Sequence, residues 1–180
     1  DRDWSSDVCS SDLTPVDGTL EVTKKAVTIT AASENFTYDG SAHVNAGYTA
    51  AGLVGSDAIT ATVAGTITYP TESPVANEVT GHTFTVGNAN NYTVTYVDGA
   101  LTMNSANIAI TVTADSNSKE YDGTPLTDNG YTYTGTLATG DSLVVTVTGT
   151  ITDAGTTANQ ITEVKVMNGS TDVTANYNIT

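Results

Sequence analysis

The tripeptide Tyr-Asp-Gly occurs twice, at Tyr38-Asp39-Gly40 and at Tyr121-Asp122-Gly123, 83 residues apart. Its surroundings recur at the same offset. AVTIT at 26–30 matches AITVT at 109–113, and Gly47-Tyr48-Thr49 matches Gly130-Tyr131-Thr132. After a one-residue insertion near Thr136, SDAITATVAGTIT at 56–68 falls on GDSLVVTVTGTIT at 140–152; Asn91-Tyr92 then answers Asn176-Tyr177. VDGTL at 16–20 answers VDGAL at 97–101, the closing piece of a unit. A chain that writes one unit of this length twice is expected to fold as tandem modules, each too small to be a domain array by itself.

The order of the motifs sets the expected boundaries. Residues 14–24 are the tail of a preceding repeat and its linker, 25–104 a complete repeat, and 105–180 a second, truncated copy that lacks its VDG-containing last strand. The missing strand should leave an unpaired sheet edge. Residues 1–13 have no counterpart in either copy. The stretch DWSSDVCSSDL at 3–13 resembles the translation of a sequencing-library adapter, holds the only Trp and the only Cys, and is read as a non-native, disordered segment to be set aside before fold reasoning.

Within each copy apolar residues alternate with Thr or Ala, as in Val27 and Ile29, Ile59, Ala61 and Val63, or Val94 and Tyr96. A period of two indicates half-buried strands, read here as antiparallel. The expected strands of the first copy are 26–31, 35–38, 43–49, 58–68 with a bend at Gly65, 78–86, 92–97 and 100–103. The fold class is all-β: tandem small β-sandwich-like domains, or alternatively β-grasp-like ones with a short helical turn in 49–56. Each unit is expected to close its own core.

The Asp-Gly pairs at 39, 98 and 122 suit tight turns, because Asp-Gly readily supplies positive φ. The recurring tyrosines are expected to bury their rings and to reach backbone groups with their hydroxyls. The repeat signature, structural rather than catalytic, therefore comprises Tyr38, Asp39, Gly40, Tyr48, Tyr92, Asp98, Gly99, Tyr121, Asp122, Gly123, Tyr131 and Tyr177.

Charge and chemistry exclude several classes. The chain has 20 acidic and 5 basic residues; the first thirteen carry four aspartates and one arginine, so the remainder keeps a formal net charge of −12. That excess repels phosphate backbones and anionic lipid, so neither nucleic acid nor membrane contact is expected of this segment. No apolar run approaches the roughly 20 residues that span a bilayer. With Cys9 set aside no thiol chemistry is left, and His43 and His82 have no histidine counterparts in the second copy. No catalytic residues, no cofactor and no metal site are assigned. Calcium held by loop aspartates (Asp39, Asp57, Asp98, Asp122, Asp141, Asp172) is the main rival to simple turn formation, although no alternating D-x-D-x-D run occurs. A Lys–Asn isopeptide crosslink is disfavoured, since Lys25 aligns with Ile108, and the sequons at Asn35, Asn91 and Asn168 are read as coincidental.

The ordered set of K-x-Y-D-G or F-T-Y-D-G, then G-Y-T, then G-D or S-D before a valine-rich strand, then N-Y and V-D-G-(T/A)-L, resembles the YDG or MBG-type tandem repeats of bacterial cell-surface proteins and adhesins over residues 14–180. The resemblance implies extracellular display on a bacterial surface or cell wall and no catalytic residues. Two functions follow as expectations. One is a structural stalk, each unit adding on the order of 30 Å from strands of seven to nine residues, with neighbouring repeats as its partners. The other is an adhesive module that holds host glycan or protein through loops or a strand edge. The segments at 69–76 and 153–158 differ between copies in length and chemistry, which favours the stalk.

Overall fold

A computed structural model describes residues 16–180; the reading of 1–13 as foreign sequence lies outside them. The first unit contains β1 (Lys25–Ala31), β2 (Glu34–Thr37), β3 (Tyr48–Ala51), β4 (Ala58–Ala64), β5 (Val75–Val86), β6 (Tyr92–Val97) and β7 (Gly99–Asn104). The second contains β8 (Ile108–Ala114), β9 (Tyr131–Thr134), β10 (Asp141–Thr148), β11 (Gln160–Asn168), the two-residue β12 (Thr171–Asp172) and β13 (Tyr177–Ile179). Helix among the described residues is confined to single 3-10 turns at Pro70–Glu72, Ala89–Asn91 and Thr174–Asn176. The chain is all-β.

The alternation works as the sequence suggests. Val27, Ile29 and Ala31 of β1 are buried while their neighbours are not, and Ile110 and Val112 do the same in β8. In each unit this strand is central. β1 lies between β3 and β6, and β8 between β9 and β13. The β4–β5 hairpin covers the first of these three-stranded sheets, and Ile59 and Val79 meet Val27, Ile29 and Tyr92 across the gap.

The sheets are mixed, which corrects the antiparallel expectation. β1 runs parallel to β6, β2 parallel to β7, and β8 parallel to β13. Alternation reports which face is buried, not strand direction, and the intervening β4–β5 hairpin returns the chain to the starting edge. The first-unit pairings form one ribbon. Lys25 faces Tyr92 and Glu34 faces Leu101 with the same 67-residue separation, so 25–37 and 92–104 run side by side. Ser33 bridges the break between strands by accepting from Ala100 N–H at 3.0 Å.

Three local expectations change. The strand at 43–49 shrinks to a single bridge between His43 and Ile67 followed by a turn in which Asn45 Oδ1 accepts from Gly47 N–H at 2.7 Å; pairing with β1 starts only at Tyr48. No helical turn occupies 49–56, where β3 gives way to a turn at Gly55-Ser56. β4 stops before Gly65, whose Cβ would lie 2.7 Å from the Ala76 carbonyl oxygen, so chain crossing rather than a bend within a strand explains that glycine.

The interior is not divided at Ser105. One cluster (Val27, Ile29, Ala31, Ile59, Val79, Tyr92) belongs to the first unit alone. The larger one joins Tyr38, Ile67, Leu101 and Met103 to Ile110, Val112, Val166, Val173 and Tyr177 of the second unit. The expectation that each unit closes its own core therefore fails for the second, because β2 and β7 contribute their apolar faces to it. Burying side chains of the size of Leu101 and Met103 stabilises by about 1.5–3 kcal/mol each.

Candidate functional site: the junction between units

At the end of β2 the backbone N–H of Tyr38 donates to Asn104 at 3.0 Å, which keeps Tyr38 on the ribbon and points its ring into the shared core. The residue is 2 % exposed. Its hydroxyl lies 2.8 Å from Asp141 Oδ1 and 3.0 Å from Oδ2. Asp39 follows with its carbonyl oxygen accepting from Thr139 N–H at 3.0 Å. Gly40 then passes the Thr139 backbone so closely, at φ 83°, that a Cβ would stand 2.1 Å from the Thr139 oxygen. Tyr38 thus meets the first residue of β10, while Asp39 and Gly40 meet Thr139 in the loop that leads into it. Asp39 also holds its local turn, its Oδ1 accepting from Ser41 N–H at 2.8 Å and lying 3.0 Å from His43 Nε2. Those partners, Ser41 first, keep its carboxyl below the usual aspartate range.

The receiving side is built around Asp141. Its carboxylate takes the Tyr177 hydroxyl at 2.5 Å and Asn168 Nδ2 at 2.6 Å as well as Tyr38. The Tyr177 hydroxyl accepts in turn from Ala138 N–H at 2.9 Å, and Tyr69 of the first unit donates to Asn168 Oδ1 at 3.2 Å. Burial, reinforced by the Asp141 carboxylate, pushes the Tyr177 hydroxyl up to about 12 and the Tyr38 hydroxyl well above the usual tyrosine range. Hydroxyls that give their protons to a carboxylate in a partly dry setting are strong, charge-assisted bonds.

The same receiving side exists in the first unit. Tyr92 donates to Asp57 Oδ2 at 2.6 Å and accepts from Val54 N–H at 3.1 Å, and the Asp57 bond raises the Tyr92 hydroxyl. Here no second tyrosine arrives. Asp57, Tyr92, Val54 and Asn91 instead line an open cleft together with Lys24 and Lys25. The complementary surface, the second tripeptide, is also unengaged: Tyr121 is 68 % exposed, against the expectation of a buried anchor. Asp122 Oδ1 accepts from Lys119 Nζ at 2.8 Å and Thr124 N–H at 2.9 Å, partners that hold its carboxyl far below the aspartate range, while Gly123 keeps the positive φ of 78°.

The remaining signature residues have separate roles. Tyr48 is half-buried and donates to the Ile59 carbonyl at 3.2 Å, the only signature tyrosine whose hydroxyl donates to backbone. Tyr131 is half-buried where β9 begins opposite Ala114. Asp98-Gly99 is not a positive-φ turn: Asp98 accepts from Val79 N–H at 3.1 Å, and Gly99 opens β7 with its Cα beside the Ala32 carbonyl, 2.3 Å from where a Cβ would be. Asp172 caps the Thr174 turn at 3.0 Å. Among the described residues no group of three His, Cys, Asp or Glu side chains is placed to hold a metal ion. Sequence reasoning singled out the tripeptide, named Asp141 only among the loop aspartates that could hold calcium and Asn168 only as a sequon, and did not name Thr139; the usable signal was the shared Asp57/Asp141 position after Ser or Gly. The arrangement fastens one unit to the next. No protein-family profile, curated protein or solved structure matches the chain.

Proposed function

We propose that the chain is a length of a spacer stalk, a non-catalytic tandem-repeat segment of a large extracellular protein on a bacterial surface. The observation that carries this reading is the junction: a motif that recurs in each unit, Tyr38-Asp39-Gly40, locks onto the following unit while β7 feeds apolar residues into that unit's core. Such a joint transmits direction from one unit to the next instead of swivelling. The parallel ribbon supports the same reading. Tension entering at Lys25 and leaving beyond Asn104 pulls its two strands from opposite ends, so their hydrogen bonds bear load together rather than one after another. The YDG/MBG resemblance supplies the surface setting. For the adhesive alternative, the favourable feature is the patch of His82, Phe84 and Tyr96, with His82 ring centroids 5.9 and 5.6 Å from the other two. By strand register the places of His82 and Phe84 in the second unit are Val164 and Val166, so the His82–Phe84 pair does not recur.

Pulling single molecules from tethers at residue 25 and Thr180 tests the stalk. The reading expects the first unit to resist as a shear-loaded clamp, weakened when Thr28, Thr95 or their neighbours are replaced by proline. Unfolding at forces indistinguishable from those of strands peeled one bond at a time contradicts it.

A further inference from the structure

Asn168 is the one amide in the polar part of the joint, and it touches both units. Its Nδ2 donates to Asp141 Oδ1 at 2.6 Å and to the Thr139 carbonyl at 3.2 Å, while its Oδ1 accepts from the Tyr69 hydroxyl of the first unit at 3.2 Å. Gly140, at φ 77°, passes so near that a Cβ there would stand 3.2 Å from Nδ2. The Asp141 carboxylate that receives the amide also takes the Tyr38 and Tyr177 hydroxyls. An amide suits this place because it offers hydrogens to the carboxylate from one atom and accepts from a tyrosine with the other.

The next residue makes that amide chemically perishable. Gly169 follows Asn168 in the turn between β11 and β12 at φ 57°, is exposed, and has nothing within 4 Å of where a Cβ would stand. A glycine has no Cβ to hinder the rotation that brings its nitrogen onto the preceding side chain. In that reaction the Gly169 nitrogen attacks Asn168 Cγ; a new N–C bond forms, the bond from Cγ to Nδ2 breaks, and Nδ2 leaves as ammonia with the proton that Gly169 gives up. Water then opens the cyclic imide at either carbonyl, leaving aspartate or isoaspartate. Water is the only co-reactant.

We propose that Asn168-Gly169 is a deamidation site gated by the joint, and that its conversion unfastens the second unit from the first. While the joint is closed, three hydrogen bonds hold the amide against Asp141, Thr139 and Tyr69. The amide must leave those partners to meet the Gly169 nitrogen, so the reaction runs through the opened joint and its rate follows the open population. The product does not fit. Aspartate at this position has no hydrogen for Asp141 and puts a carboxylate oxygen where Nδ2 now lies 2.6 Å from Asp141 Oδ1. Two carboxylates that close cannot both stay ionised. Isoaspartate also adds a methylene to the backbone, which disturbs the pairing of Asn168 with Thr171. Opening is thus reversible until the amide is lost, and the joint has a chemical lifetime set by how often it opens.

Peptide mapping by mass spectrometry of the folded full chain, aged in mildly alkaline buffer, tests this. The other Asn-Gly pair, at exposed Asn129, takes no part in the hydrogen bonds of the joint and serves as the internal reference. Asn168 is expected to convert more slowly in the chain than in a synthetic peptide of residues 165–172. Tyr38→Phe, which removes a bond to the Asp141 carboxylate, is expected to speed Asn168 by roughly tenfold or more and to leave Asn129 unchanged. Tyr69→Phe, which frees the amide oxygen directly, is expected to act in the same direction. Asn168→Asp, made as the product, is expected to melt below the wild type and to give the two units separate alignment tensors in residual dipolar couplings. Conversion of Asn168 at the peptide rate, a rate that neither tyrosine variant changes, or an Asn168→Asp chain that keeps the wild-type melting point or a single tensor overturns the proposal. Circular dichroism confirms folding of the variants, and the outcome is independent of whether the protein serves as a stalk.

Discussion

The Tyr38 hydroxyl reaches Asp141 Oδ1 at 2.8 Å across 103 residues of sequence, and Tyr177 of the second unit donates to the same carboxylate. Removing one hydroxyl leaves a charged acceptor partly unsatisfied. Tyr38→Phe is therefore expected to destabilise the chain by about 1.5–3 kcal/mol, the range for hydrogen bonds to charged groups. Urea unfolding checks the value, and a double-mutant cycle with Asp141→Asn is expected to show coupling between the pair.

Gly40 and Gly123 hold the same motif position at φ 83° and 78°, but only Gly40 has a neighbour, with a Cβ 2.1 Å from Thr139 oxygen and none within 4 Å at Gly123. Both alanine variants carry the strain of a left-handed residue, of order 1–2 kcal/mol. Gly40→Ala adds a backbone clash at the junction. It is expected to lower the melting temperature clearly more than Gly123→Ala, a difference that calorimetry reads directly.

Leu101 lies in β7 of the first unit yet packs in the core of the second, while Val27 packs in the first unit's own cluster. Leu101→Ala is expected to cost about 2–5 kcal/mol and to raise amide exchange in β8 and β11 as well as β7. Val27→Ala is expected to raise exchange mainly in β3, β5 and β6. Hydrogen exchange by mass spectrometry separates the two patterns.

Alkaline pH should loosen the junction. Tyr177 is raised to about 12 from 10.0, and Tyr38 is raised also, because burial disfavours tyrosinate next to Asp141. The folded state thus holds these protons more tightly than the unfolded chain. Their stabilisation is complete below pH about 10 and is lost as pH rises from there through about 12. Urea midpoints across that window are expected to fall steeply, and less steeply in Tyr38→Phe.

Much of this fold was legible because burial writes itself into sequence. The Val27-Ile29 and Ile110-Val112 alternations located both central strands. Direction was not legible: the pattern of β6 is the same whether it runs with β1 or against it. The Asp-Gly pairs misled in part, since Asp98-Gly99 owes its glycine to the nearby Ala32 carbonyl and not to a turn. The junction was half visible. The tripeptide recurs and so stands out, but its contacts lie in the next unit, about a hundred residues away, and no local pattern records that Asp141 receives Tyr38. The shared core was hidden for the same reason, because Leu101 and Met103 look like residues of their own unit.

The central claim is that the two units form one stiff body through the Tyr38–Asp141 junction and the core around Leu101. Residual dipolar couplings of backbone amides in weakly aligned protein test it most directly. The account predicts that couplings from residues 25–104 and 105–180 fit a single alignment tensor of one magnitude and orientation. Two tensors of different magnitude, one for each unit, would contradict it.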